Sequence, residues 1–268
     1  MTYTVNEVMD RLKELAAGDA ASASDLLLFG DKDAPVTGIA VAFMPTQAVL
    51  ESAAEAGANL IVSHEAPFYN HHAGFEASLA DDPVWTRKRK FMAEHGLHLF
   101  RCHDYAHAAE PDLVTDGLVQ ELEWQPYLVR HEKYAALLSL PSMTVRDIAR
   151  HVKEKLGAAY VRIVGSPGQR CVRVGMTVGY RGGGALAIPL FREEELDLLI
   201  CGEGPEWETP EYVRDAVRQG GGKALLMLGH GESEQPGMKV LARYLRERLK
   251  DAQVPVHFMK NESVFQLL

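Results

Sequence analysis

The chain has 268 residues, enough to bury a sizeable core in one large domain or two lobes. A hydrophobic fraction of 47% beside 24% charged residues is that of an ordinary globular protein and excludes a disordered chain. The formal net charge of −9 argues against a nucleic-acid surface as the main partner.

Three scattered cysteines, Cys102, Cys171 and Cys201, form no CxxC pair and suit a reducing compartment. The opening MTYTVNEVMDRLKEL is amphipathic and charged, unlike a secretory leader, and no run of about 18 apolar residues offers a membrane span. A cytoplasmic protein without a membrane partner is expected.

In chain order, Thr4 and Glu7 have capping-box spacing, and Val5, Val8, Met9, Leu12, Leu15 and Ala16 then share one helical face. VTGIAVAF (36–43) reads as a strand, and TQAVLESAAEAG as a helix ending at Gly57. NLIVSH (59–64) is a strand, followed by a helix over about 85–95 and the strand HLFRCHD (98–104). The stretch 124–143 breaks this alternation and marks a candidate boundary. Approximate lobes are 1–125 and 126–268, with the C-terminal strands able to return to the first lobe.

Beyond it, Thr144 and Asp147 predict a helix to Gly157, and YVRIVG and VRVGMTVG read as strands. LDLLICGE (196–203) precedes a helix with Thr209 as cap and Pro210 at its first position. KALLMLGH (223–230) precedes a helix opened by Pro236, and VPVHFM and SVFQLL read as closing strands. Alternating strands and helices predict an α/β fold with mostly parallel sheets flanked by helices.

Ionisable residues collect at the ends of these strands. His64-Glu65 follows NLIVS; His103, Asp104 and His107 follow HLFRC; Glu203 follows LDLLICG; His230, Glu232 and Glu234 follow KALLMLG. Each alone reads as a solvated turn, or as carboxylates favouring a helix N-terminus. In α/β sheets, however, the carboxyl ends of strands border the ligand crevice, where such groups converge. Histidines and carboxylates without a cysteine pair favour zinc, manganese or iron over a thiolate site. Cys102 and Cys201 read as buried core residues, and His71-His72, RKRK (87–90), Glu110 and Asp112 as solvated surface. Tyr180-Arg-Gly-Gly-Gly184 reads as a turn, with approach to a phosphate as the alternative.

The blocks VTGIAVAFMPTQAVLESAAEAGANLIVSHEAPFY, HDYAHAA, VRVGMTVGYRGGG, LDLLICGE and KALLMLGHGESEQPGMKVLARYL occur in the order of the NIF-three-like family. The sequence resembles that family, whose dinuclear-metal proteins carry the name GTP cyclohydrolase I type 2. The resemblance implies two related α/β lobes, a metal pair in the cleft between them and a toroidal homohexamer.

It also implies His64, His230 and Glu234 as metal ligands. Glu65 stands where the family has a second histidine, and His107 where it has an aspartate. The two departures exchange a histidine for a carboxylate and leave three histidines and two carboxylates. The expectation is therefore two divalent ions held by His64, Glu65, His107, His230 and Glu234. Two cations about 3.5–4 Å apart repel, so a bridging anion is needed, for which Glu234 is the candidate. His103 is expected to support the site, with Asp104 and Glu203 as outer groups or proton-transfer residues.

The implied activity is metal-dependent hydrolysis of a nucleotide or related small molecule, cyclohydrolase-like, with water activated by the metals attacking a polarised centre. The alternative is a metal-binding oligomeric scaffold or regulator without turnover. A TIM-barrel hydrolase also places ligands at strand ends, but needs more βα units than this chain displays.

Overall fold

The structure, a computed structural model, describes residues 2–16, 22–71 and 75–267. His72 and Leu268 lie outside the described residues. The chain divides into two compact units, residues 1–113 with 238–261, and residues 114–237 with 262–268.

The first unit begins with α1 (Val5–Lys13), β1 (Leu27–Phe29), β2 (Ile39–Ala42), α2 (Gln47–Glu55), β3 (Leu60–Ser63), α3 (Pro83–Glu94), β4 (His98–Arg101) and the single turn α4 (Asp104–His107). Then come α5 (Leu113–Glu121), β5 (Leu128–Glu132), β6 (Ala135–Thr144), α6 (Val145–Leu156), β7 (Arg162–Val164), β8 (Arg170–Met176), α7 (Gly184–Glu193), β9 (Leu198–Cys201), α8 (Thr209–Arg218) and β10 (Ala224–Met227). Helix α9 (His230–Arg248) and strand β11 (Val256–Phe258) complete the chain.

The first sheet has the order β1-β4-β3-β2-β11. Three of its four pairings are parallel, and the fourth, at the β1 edge, is antiparallel, with Leu27 facing Phe100. β2 and β3 are buried throughout and apolar but for Ser63, as a sheet covered on both faces requires. On one face Ala40, Ile61 and Leu99 pack with Leu50 and Ala53 of α2 and Met92 of α3. Local chemistry starts each helix: Thr4 and Glu7 form the reciprocal capping box, Thr46 accepts from Val49 N–H, and Asp82 accepts from Val84 and Trp85 N–H ahead of Pro83. α1 ends at Lys13, so Leu15 and Ala16 lie past the helix, while Val5, Val8 and Leu12 are buried as its pattern predicts.

The second sheet has the order β5-β6-β8-β9-β10-β7 and is mixed. β8-β9 and β9-β10 are parallel, whereas β5-β6, β6-β8 and β10-β7 are antiparallel. The interrupted alternation at 124–143 is thus an antiparallel hairpin, which needs no crossover helix. Phe191 and Ala187 of α7 and Val213 of α8 cover Leu199, Cys201, Leu225 and Met227. All three cysteines are buried, and burial pushes the Cys102 and Cys201 thiols well up, the latter to about 12. Two open sheets exclude the TIM barrel.

Three local expectations change. Thr209 is the first residue of α8 rather than its cap: its hydroxyl donates to Gly182 O at 2.7 Å and is spent on a tertiary contact. The described residues of SVFQLL, 263–267, form no strand; Val264, Phe265 and Leu267 are exposed and pair with neither sheet. Helix α9 starts at His230 and carries Pro236 inside it. Proline removes one backbone bond there, while the Ser233 hydroxyl donates to His230 O across the first turn. Within the second unit, α9 passes very close to α5, since a Cβ on Gly117 would lie 2.5 Å from the Gly237 Cα.

Candidate metal centre

In the first unit, adjacent parallel strands β3 and β4 end side by side. Backbone pairing runs past their ends, with His64 N–H donating to Ala42 O at 3.1 Å and Cys102 N–H to Ser63 O at 2.8 Å. His64 and His103, the next polar residues, are thereby placed together, their rings stacked at 4.6 Å between centroids. The turn α4 then sets His107 edge-on to both, at 5.0 Å from each. The ligand atoms of His64, His103 and His107 lie within 4.8 Å of one another, and His64 is fully buried.

The supports of this cluster were only partly legible beforehand. Asp112 is not a solvated residue but is 7% exposed, with its two carboxylate oxygens 3.2 and 3.0 Å from His107 Nδ1. That contact leaves Nε2 as the His107 atom for a ligand role, the arrangement by which outer carboxylates orient metal-binding imidazoles. Glu110, by contrast, is exposed. Asp25, from a loop far away in sequence, accepts from the N–H groups of His103, Asp104 and Tyr105 and so holds the start of α4. Burial pushes its carboxyl up, against those bonds and one from Ser22. Asp104 lies 2.8 Å from His103 Nδ1; burial opposes its charge, but bonds from His103 and Ser22 hold it below the ordinary carboxylate range.

Glu65 stands beside His71, 3.9 Å from its Nδ1, and the two group with His103 as a second possible ligand set. His71 is exposed loop surface, as read, and buried Arg101 donates to its carbonyl at 2.8 Å and lays a second amino group 3.3 Å from its ring nitrogen. No spacing rule joins Asp25, His71 or Arg101 to the histidines, because each arrives through strand order. Asp112, five residues beyond His107, was the one missed support with a sequence signal.

In the second unit, Glu203 follows β9 and His230 follows β10, again adjacent parallel strands. His230 Nδ1 is 2.8 Å from Glu203 Oε1, and its Nε2 is 3.0 Å from Oε2 of Glu234, one helical turn on and 2% exposed. The early start of α9 creates this pair, because positions i and i+4 share a helix face. The His230 contact, against the opposing effect of burial, holds Glu203 below its ordinary range. Ser233 donates to His230 O and accepts from Gly179 N–H at 2.9 Å, locking the turn. Gly179 is obligatory: its φ is +55°, and a Cβ would sit 2.2 Å from Glu234 Oε1. Glu232 lies beside Gly229 rather than His230 or Glu203.

The donor sets suit a divalent cation. Imidazole and carboxylate are ligands for zinc, manganese or iron, and a 3.0 Å gap between donors matches adjacent ligands with bonds of about 2.0–2.2 Å. The Tyr180–Gly184 segment is a turn whose Gly184 N–H is already taken by the Glu208 carboxylate at 2.6 Å, and Arg181 lies over the Tyr134 ring. Its phosphate-cradle alternative is not supported.

The family model described as Duf34/NIF3 (NGG1p interacting factor 3) matches residues 3–263. The chain belongs to this family. A relative named GTP cyclohydrolase 1 type 2 homolog, from Clostridium perfringens (strain 13 / Type A), is 22% identical over 274 residues, covering 95% of this chain and 99% of that protein. Among crystal structures, the Bacillus cereus protein related to NIF3 superposes with a TM-score of 0.76 at 14% identity, over 100% of this chain and 99% of that one. Staphylococcus aureus protein SA1388 superposes with a TM-score of 0.75 at 18% identity, covering 99% of both chains. Both likenesses establish the Duf34/NIF3 fold, two sheets flanked by helices. Among the described residues no helix is long and apolar enough to cross a membrane.

Proposed function

We propose that this Duf34/NIF3 protein holds two divalent ions through His64, Glu65, His107, His230 and Glu234 and hydrolyses a nucleotide or related small molecule. The observation that carries the reading is the convergence of His64, His103 and His107 with buried Asp112 fixing the His107 ring. The name of the Clostridium perfringens relative points the same way. A divalent ion in such a site supplies Lewis-acid chemistry, polarising a carbonyl or phosphoryl oxygen and acidifying water.

The protein's own groups do the rest. Asp112 and Glu203 hold the His107 and His230 rings through Nδ1, presenting Nε2. Asp104 and Glu203 are both held below the ordinary carboxylate range, so at neutral pH they are anions able to accept a proton. His103, tied to Asp104, positions that acceptor beside His64. A homohexamer in the cytoplasm completes the reading.

The test is to quantify metal in the purified protein, then assay nucleotides and simple phosphoesters with wild type and the His230→Ala, Glu234→Ala double variant. Turnover that disappears together with bound metal supports the hydrolase. Two bound ions with no turnover on that panel selects the scaffold alternative. A protein that takes up no metal at micromolar concentration refutes both. Sedimentation velocity measures the assembly.

A further inference from the structure

The RKRK segment (87–90) is not a uniformly solvated helix face. Arg87 and Lys90 are exposed on α3, but Lys88 between them is 3% exposed. Its Nζ donates to Pro67 O at 2.6 Å and lies 5.1 Å from the Tyr69 ring centroid and 5.9 Å from that of Phe68. An ammonium carries three donors. Among the described residues it meets that single oxygen acceptor and no carboxylate. A buried charge without a counter-ion is costly, and an anion brought against it would offset that cost.

Such a place adjoins it. A cleft of about 470 Å3 is lined by Lys88, Arg87, Lys90, Tyr69, Phe91 and Glu94, among others. Arg87 makes no ion pair among the described residues, and Lys90 has only an exposed contact to Glu94 at 3.6 Å. Three cations against one carboxylate leave the lining two charges positive, in a protein whose formal net charge is −9. Tyr69 supplies a ring that is 53% exposed, on a backbone with φ of +64°. A non-glycine residue in that conformation is strained and is kept where its surroundings enforce it. None of the histidines or glutamates of the two metal clusters lines this cleft.

We propose that this cleft binds a phosphate monoester carried on a planar ring, its dianion drawn to Lys88 and Arg87 and its ring laid against Tyr69. The doubly positive lining favours a dianion over a monocarboxylate. Arg87 offers the planar fork that matches phosphate oxygens, and Lys88 a point charge in the same lining.

Isothermal titration with phenyl phosphate at neutral pH and low salt tests the assignment, with inorganic phosphate and phenol as comparison probes. Wild type, Arg87→Gln and Lys88→Met are compared after their metal content and melting temperature are measured. Saturable binding of phenyl phosphate is expected, weakened about tenfold or more by either variant, as loss of one charge-assisted bond requires. Inorganic phosphate should bind about fivefold or more weaker for want of stacking, and phenol not at all. If Lys88→Met does not fold, Arg87→Gln carries the test alone. Binding that Arg87→Gln leaves unchanged, inorganic phosphate binding as tightly as phenyl phosphate, or no saturation at millimolar phenyl phosphate each overturns the proposal.

Discussion

Replacing Lys88 with methionine, a side chain of similar reach without the charge, should make the protein more stable at pH 7. Burial lowers the Lys88 ammonium from 10.5 to about 8, so keeping it charged in the fold at pH 7 costs about 3 kcal/mol. Methionine removes that cost but gives up the bond to Pro67 O, worth about 1 kcal/mol, and leaves a buried carbonyl less well satisfied. The balance is a gain of about 1–2 kcal/mol, or about 2–8 °C in melting temperature for a chain of this size.

The pH dependence is the sharper readout. The folded value lies below the unfolded one, so between about pH 8 and about pH 10.5 the unfolded chain binds more protons and wild-type stability rises with pH. Below about pH 8 the full penalty is present, and above about pH 10.5 it is gone. The advantage of Lys88→Met should therefore be constant up to about pH 8 and then shrink. Comparing the two proteins removes the pH dependence that both share. Among the described residues no carboxylate pairs with Lys88. Urea unfolding of both proteins at pH 7, 8, 9 and 10 makes the measurement. A variant less stable than wild type at pH 7, or a difference that does not change with pH, would refute the reasoning.

Other expectations follow from single contacts. Asp112→Ala should weaken metal binding by about 10–100-fold, read by competition with a chromogenic chelator, because His107 loses the group that orients it. Gly117→Ala should cost about 1–3 kcal/mol in urea unfolding, since the new methyl meets the Gly237 backbone and neither helix can yield freely. Thr144→Ala removes the cap that Asp147 N–H donates to and should cost about 1 kcal/mol by the same measurement. Gly179→Ala should lower metal uptake more than it lowers the melting temperature, because the added carbon displaces the Glu234 carboxylate.

Much of this protein was already determined by short windows of its sequence. The Thr4–Glu7 capping box, the Thr144 cap and the Gly157 stop lie within a turn of the helices they bound. Strands β2, β3, β9 and β10 are continuous apolar runs, and the ionisable residues directly after β3, β4, β9 and β10 marked where chemistry collects. What lay beyond such windows was decided by tertiary structure. Asp25 reaches α4 across 78 residues of chain, and buried Asp112 meets the ring of His107. Lys88 is covered by the segment bearing Pro67 and Tyr69, so one position in a basic run leaves solvent while its neighbours stay in it. The first turn of α9, starting at His230 rather than Pro236, is tied to Glu203 through the His230 ring and to the Gly179 N–H through Ser233, contacts that no local pattern contains. Caps and periodicities act between residues a few positions apart and can be read in order. Convergence of side chains depends on strand order, register and burial, which exist only once the sheets have formed.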